Sequence, residues 1–456
     1  MPAPLWRLRV TITLIALSVP LTSVLDAAPD EYTLSEPVDD QRIRAVSAKL
    51  DVTGQITPTI SAGKTGKPLP LSVEAKFRFR ERRLSGAGRD ARTLRGVRYY
   101  EEVAAKIRVG ERETAPRLQP GHRLIAALGT REGVERYCPS APLSRSELDL
   151  LQTPGDSLAL LVLLPAAQVK IGDTWTPESW AVQMLSEVEA ATKTELTCKL
   201  ISVERHVARV SFAGKVEGAT LGAAASLTVN GHYLFDLKQK LITHAEITQT
   251  ELRDSGPYNP AMNVKATMIV DRKMTDDVTP LSDVLAKELP LEPTLLNKAL
   301  VFRPPWNIEL IHDRNWHLFH QTSAVAVLRL LDETGAFVSQ CSIAPIVSAK
   351  PGEHTSEQQF QDDIRTSLGA QLKEITKAEL IDSKDGRFLY RVTAVGEANK
   401  RPLTWLYYLC AAPSGSQVSL VFVVDTKYVD RLGNRDLEIV NSLQFLTRGG
   451  EPTPAN

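Results

Sequence analysis

Three histidines and an aspartate crowd into nine residues at His312-Asp-Arg-Asn-Trp-His317-Leu-Phe-His320, a set that would suit a transition metal if its members converged. The continuation through Val325 to Leu331 reads as strand. On a strand, positions 317 and 320 differ by an odd number and point to opposite faces. The sequence therefore assigns no metal ligands. Ser61-Ala-Gly-Lys-Thr-Gly-Lys67 imitates part of a phosphate loop, but Pro58 stands where the first glycine belongs and Pro68 follows where a helix must begin. It reads as a hairpin turn. No G-x-S-x-G elbow, H-E-x-x-H helix or dinucleotide glycine fingerprint occurs, and Ser, His and Asp are scattered without triad spacing. The chain shows no catalytic residues and no cofactor signature.

Arginine is concentrated instead. Between Phe77 and Arg98 lie eight arginines against Glu81 and Asp90. Residues two apart on a strand share a face, so Arg78, Arg80 and Arg82 project together, joined by Arg95 or Arg98 from the returning strand. Guanidinium forks bind phosphate, sulfate and carboxylate, so such a hairpin is an anion- or partner-binding candidate. The competing reading is a solvated face whose charge is met by Glu101, Glu102 and neighbouring acids.

Cys138, Cys198, Cys341 and Cys410 form no C-x-x-C pair, which excludes zinc ribbons and thioredoxin-like motifs. Two per half of the chain would allow one disulfide in each half. Cys198 and Cys410 equally read as small buried apolar residues, alternating with leucines.

The chain opens with Arg7 and Arg9, an uncharged apolar run from Val10 to Leu25 broken by Pro20, and small residues at Ala27-Ala28. This predicts a cleaved secretory signal peptide over 1–28, and hence a periplasmic or secreted protein. Lys+Arg and Asp+Glu balance at 54 each, so overall charge points to no nucleic acid partner. A hydrophobic content of 43% suffices for large cores.

The elements that would position these residues are mostly strands. Period-two alternation runs through Val73–Phe79 and Leu227–Leu237, with further strands at 94–109, 194–203, 206–216, 241–252 and 262–272. Together they predict a curved antiparallel meander over 29–275. A short helix at 144–152 opens with the capping box Ser144-x-x-Glu147. Within Val169–Trp175, Gly172 makes a turn and Trp175 plugs one end of the curved sheet. Prolines then cluster through 276–305, predicting a semi-rigid linker with a helix at 280–289 capped by Thr279. From 306 to 448 come strands at 315–331 and 336–345, and a helix at 356–373 with Thr355 and Gln358 as its capping box. Four more strands and a helix beginning at Asn434 complete an α+β sandwich, and residues 449–456 read as a disordered tail.

The order ββ–α–ββββ–α, with the ending Ile439-Val-Asn-Ser-Leu-Gln-Phe445, resembles the PsbP-like domain, a mostly non-enzymatic family that includes envelope lipoproteins and assembly factors. The meander is similar in topology to the LolA-like half-barrel of lipoprotein carriers. These resemblances imply an exported, non-catalytic envelope protein binding a lipid-like amphiphile or a protein partner, with peripheral membrane contact. Two alternatives stay open: a secreted hydrolase whose site has no sequence signature, and a purely structural envelope protein.

Overall fold

The computed structural model describes residues 31–446, apart from 39, 62–63, 85–89, 257–258, 291 and 384. The expected signal peptide and C-terminal tail lie outside the described residues, as does Arg89. Among the described residues no helix is long and apolar enough to cross a membrane.

A twelve-stranded sheet dominates the N-terminal part. Its main strands are β1 (Ile43–Thr57), β2 (Leu69–Arg83), β3 (Arg95–Val109), β4 (Leu124–Thr130), β5 (Gly133–Tyr137), β6 (Ala190–Glu204), β7 (Val207–Thr220), β8 (Ala223–Asp236), β9 (Leu241–Arg253) and β10 (Ala261–Thr275). The spatial order is β6-β7-β8-β9-β10-β1-β2-β3-β4-β5, so every neighbour is consecutive in sequence except β10 beside β1. Alternation decides the faces. Val46, Ala48, Leu50, Phe77 and Phe79 point inward, while Ser47, Lys49, Lys76 and Arg78 point out.

The segment between β5 and β6 folds back onto the inner face. It contributes α1 (Arg145–Leu151), a 3-10 turn at Ala159–Leu163 and α2 (Ser179–Ser186), whose apolar residues share one core with the strands. Ser144 and Glu147 form the expected capping box at α1. Trp175 packs on this core and donates from Nε1 to the Leu163 carbonyl at 2.8 Å. Gly155 has φ 71, and a Cβ there would lie 2.3 Å from Ile247 Cδ1, so only glycine lets this segment approach β9 so closely.

The second sheet has seven strands: β11 (Trp316–Gln321), β12 (Ala326–Leu331), β13 (Phe337–Ile346), β14 (Leu372–Leu380), β15 (Phe388–Ala398), β16 (Arg401–Ala411) and β17 (Gln417–Asp425), in the order β11-β12-β13-β17-β16-β15-β14. In β17, Leu420, Phe422 and Val424 face one core while Val421 and Val423 face another, which is why that strand reads as a continuous apolar run.

Several expectations need correction. Among the described residues strand accounts for 53% and helix for 16%, and the pairing is antiparallel except at one short contact, so the class is β rather than α+β. The helices only cap and plug sheets. The single strand expected over 315–331 is a hairpin, because the Thr322 hydroxyl accepts from Ala324 N and Val325 N and turns the chain. The helix expected at 280–289 is α3 (Asp283–Glu288), capped by Ser282 rather than Thr279. The helix expected at 356–373 is α4 (Glu357–Leu368), capped by Ser356, whose hydroxyl accepts from Gln359 N. The last helix, α5 (Arg435–Ser442), follows Asn434 as read.

The 276–305 stretch is not a free spacer. Leu281, Leu285 and Leu289 cover the outer face of β2 and β3 at Leu84 and Val97. Leu300–Phe302 pairs with Leu143–Ser144 on one side and Ile308–His312 on the other, and the latter meets Gln444–Phe445. This small four-stranded sheet ties the two halves of the chain together.

Candidate functional site

The arginine hairpin is sorted by register. Arg78 lies opposite Glu102, but a bulge at Glu101 shifts the next pairs, so Arg80 meets Tyr99 and Arg82 meets Val97. Arg95 therefore faces outward with Arg80 and Arg82, whereas Arg98 turns inward beside Glu81. Every one of the five has a partner within the chain. Arg78 pairs with Glu101 and Glu102, and Arg80 with Glu101 and Asp277. Arg82 is buried and donates to the Leu281 carbonyl at 2.9 Å and to Asp283 at 2.5 Å. Arg95 meets Glu292 at 2.7 Å. The expected anion-binding patch is thus a set of matched pairs: those to Asp277, Asp283 and Glu292 anchor the 277–292 segment, and those to Glu101 rigidify the bulge.

Arg98 belongs to a feature the sequence did not disclose. Arg44, Arg83, Arg98, Arg136 and Arg272 are all buried at one end of the inner face, with Glu36, Asp40, Glu81, Asp156 and Glu187 among them: five cations against five carboxylates. Asp156 accepts from both terminal nitrogens of Arg98, from Arg136 at 2.7 Å and from Leu158 N at 2.8 Å. Burial alone would raise its pKa; the guanidiniums of Arg98 and Arg136 override this and hold the carboxyl far below the usual range. Glu187, half-buried, moves up because its desolvation outweighs the guanidinium of Arg136. Burial, followed by the charges of Arg83 and Arg272, brings Arg44 down to about 10. The adjoining void of about 20 Å³ has room for about one water. This cluster is structural: it holds the folded-back segment and the N-terminal residues against the sheet.

The inner face is not plugged throughout. Beyond Val46 and Ala48 the folded-back segment stops, leaving a groove of about 500 Å³ between β1, β2, β3 and α1. Leu50, Val73, Ala75, Phe77, Ala105 and Ile107 form its apolar floor, and Ser146, Asp149 and Gln152 of α1 and its end form one polar rim. Asp149 is more than half exposed, with Arg145 at 3.8 Å. Among the described lining residues Asp149 is the one carboxylate, and none is histidine or cysteine.

A second, polar cleft of about 570 Å³ lies on the other side of α1, between the halves of the chain, and includes Glu135, Arg145, Glu187, Arg314 and His317. Arg314 donates to the Arg136 carbonyl at 2.7 Å and to the Lys298 carbonyl at 2.8 Å. Arg145 donates to the Arg314 carbonyl at 2.6 Å. The histidine cluster read at 312–320 does not assemble. His312 and His317 are buried, and burial lowers them to about 4 and about 3, while His320 is exposed past a bulge in β11.

The four cysteines are free and buried rather than bridged. Cys341 lies opposite Phe422 and Cys410 opposite Val418 on the strand between them. Two strand spacings across and four residues along separate them by roughly 16 Å, far beyond disulfide reach. Cys138 follows β5 and contacts the Ser140 hydroxyl at 3.2 Å, whereas Cys198 sits on β6 opposite Phe212.

No protein-family model and no curated protein matches the chain. A solved structure from Bacteroides thetaiotaomicron VPI-5482 overlaps it at 9% identity with a TM-score of 0.25, covering 33% of this chain and 50% of that one. The chain thus spans about half the length of that protein. A BenF-like porin from Pseudomonas fluorescens Pf-5 overlaps at 6% identity with a TM-score of 0.12, covering 85% of this chain and 98% of its own. The outer membrane protein OprD from Pseudomonas aeruginosa overlaps at 9% identity with a TM-score of 0.12, covering 87% and 97%. Overlaps this weak transfer neither fold nor function.

Proposed function

We propose that the chain is an exported, non-catalytic envelope protein that holds an amphiphilic molecule in the groove beside α1. One observation carries the reading: an apolar floor of about 500 Å³ left open where the folded-back segment ends, with a polar, charged rim on one side. An acyl tail would lie on Val73, Ala75, Phe77, Ala105 and Ile107, and its head group would meet Ser146, Asp149 and Gln152. The basic start, apolar run and small-residue exit over 1–28 support export.

The test is displacement of a fluorescent long-chain fatty acid by unlabelled fatty acid and by lysophospholipid. Saturable binding is expected, weakened at least tenfold by Val73→Trp, which fills the groove from a half-exposed position while melting stays within a few degrees. Absence of saturable binding to either lipid class overturns the reading. Equal binding by wild type and Val73→Trp overturns the groove as its site.

A further inference from the structure

On the outer face of the large sheet, away from the groove, two histidines and a carboxylate come together. His232 of β8 lies directly opposite Glu246 of β9, and His244 lies two residues before Glu246 on the same strand, so all three share one face. A ring nitrogen of each histidine and a carboxylate oxygen of Glu246 lie within 4.8 Å of one another, and all three side chains are half-buried. The imidazole rings are 5.7 Å apart and tilted by 46°, so they are not stacked on each other.

Asp271 of β10, opposite His244, supplies the second observation. Its carboxylate meets His244 Nδ1 at 2.8 Å. An ionised carboxylate can only accept, so Nδ1–H donates to it and Nε2 is the nitrogen left to face an ion. A carboxylate that orients a histidine in this way is the usual support behind a metal-ligating imidazole.

We propose that His232, His244 and Glu246 bind a divalent transition-metal ion, zinc by chemical preference, with Asp271 orienting His244. Two imidazoles and one carboxylate are a zinc set that leaves a fourth position to water or an exogenous ligand. Calcium and magnesium are disfavoured, since they require six or more oxygens. The two carboxylates bring two negative charges and the neutral imidazoles none, which matches a doubly charged ion. Bonds of about 2.0–2.1 Å in tetrahedral geometry place ligand atoms about 3.4 Å apart. Closing from 4.8 Å takes only rotamer adjustment of half-exposed side chains. Arg209 on β7 is the cation whose field reaches His232, and it works against the ion.

The experiment is calorimetric titration of the metal-free, full-chain protein with zinc chloride, followed by cobalt substitution read by visible absorption. Wild type is expected to bind one ion with tetrahedral cobalt bands. His232→Ala and His244→Ala should each weaken binding at least tenfold, and Asp271→Asn ten- to a hundredfold. Arg209→Ala should tighten it. Because these side chains are half-exposed, the metal-free variants should melt like wild type, which separates lost ligation from lost folding. No saturable zinc binding, or undiminished binding by the His232→Ala/His244→Ala double variant, overturns the proposal.

Discussion

Glu36 and Arg272 form a doubly hydrogen-bonded pair with both side chains fully buried, Arg272 donating at 3.0 Å to one carboxylate oxygen and at 2.9 Å to the other. The same carboxylate accepts from Arg83 at 2.9 Å and from Ile242 N at 2.7 Å. One residue of the N-terminal segment therefore neutralises arginines on β2 and β10 and satisfies a backbone donor on β9. Replacing Glu36 by Gln leaves these cations with less counter-charge. A loss of about 3–5 kcal/mol is expected in urea unfolding, as when one partner of a buried pair is removed. A loss below about 1 kcal/mol would show that Asp40 and water compensate.

Acid should act in two stages. His312 and His317 are held near 4 and near 3, chiefly by burial, against about 6.5 when unfolded. Their folded pKa values are depressed, so the unfolded chain takes up protons first. Their contribution is complete above pH 6.5 and is lost as pH falls, on the order of 3 kcal/mol each by pH 4. Glu36 and Asp156 are also depressed, so their contribution persists until pH falls below about 4. Melting temperature should decline from pH 6.5, then collapse below 4, and His317→Gln should flatten the first stage. A flat profile between pH 7 and 4.5 would contradict this account.

The cysteines should be unreactive until the chain unfolds. Burial pushes Cys198 and Cys410 up to about 12, and the thiolate is the reactive form. Native protein should react negligibly with a disulfide reagent, denatured protein should titrate all four thiols, and reductant should leave melting unchanged. Fewer than four thiols in denaturant would restore a bridge.

Arg78 and Arg82, two residues apart on β2, should behave oppositely. Arg78 is exposed and its pairs with Glu101 and Glu102 are worth little, so Arg78→Glu should change stability by less than about 1 kcal/mol. Arg82→Glu would bury a carboxylate against Asp283 and the Leu281 carbonyl and should cost about 3–5 kcal/mol. Neither should much alter elution from a polyanion column, because the arginines are already matched. A large shift with Arg78→Glu alone would revive the anion-binding reading.

The sequence by itself determined whatever depends on neighbours along the chain. Alternation marked β3 and β7 to β10 as strands because side-chain direction on a strand repeats every two residues. The Ser144–Glu147 box marked α1 because capping is satisfied within one turn. Tertiary structure alone decided what depends on the strand opposite. A bulge at Glu101 sent Arg98 inward and Arg95 outward, and no local pattern announces such a slip. Nothing local marks Arg44, Arg83, Arg98, Arg136 and Arg272 as buried, because the cost of burying a charge depends on spatial partners as distant along the chain as Glu36. His244-x-Glu246 was an unremarked alternation until pairing of β8 with β9 set His232 opposite it. The spread of apolar positions foretold a core, but only the point where the folded-back segment ends determines that a groove stays open beside α1.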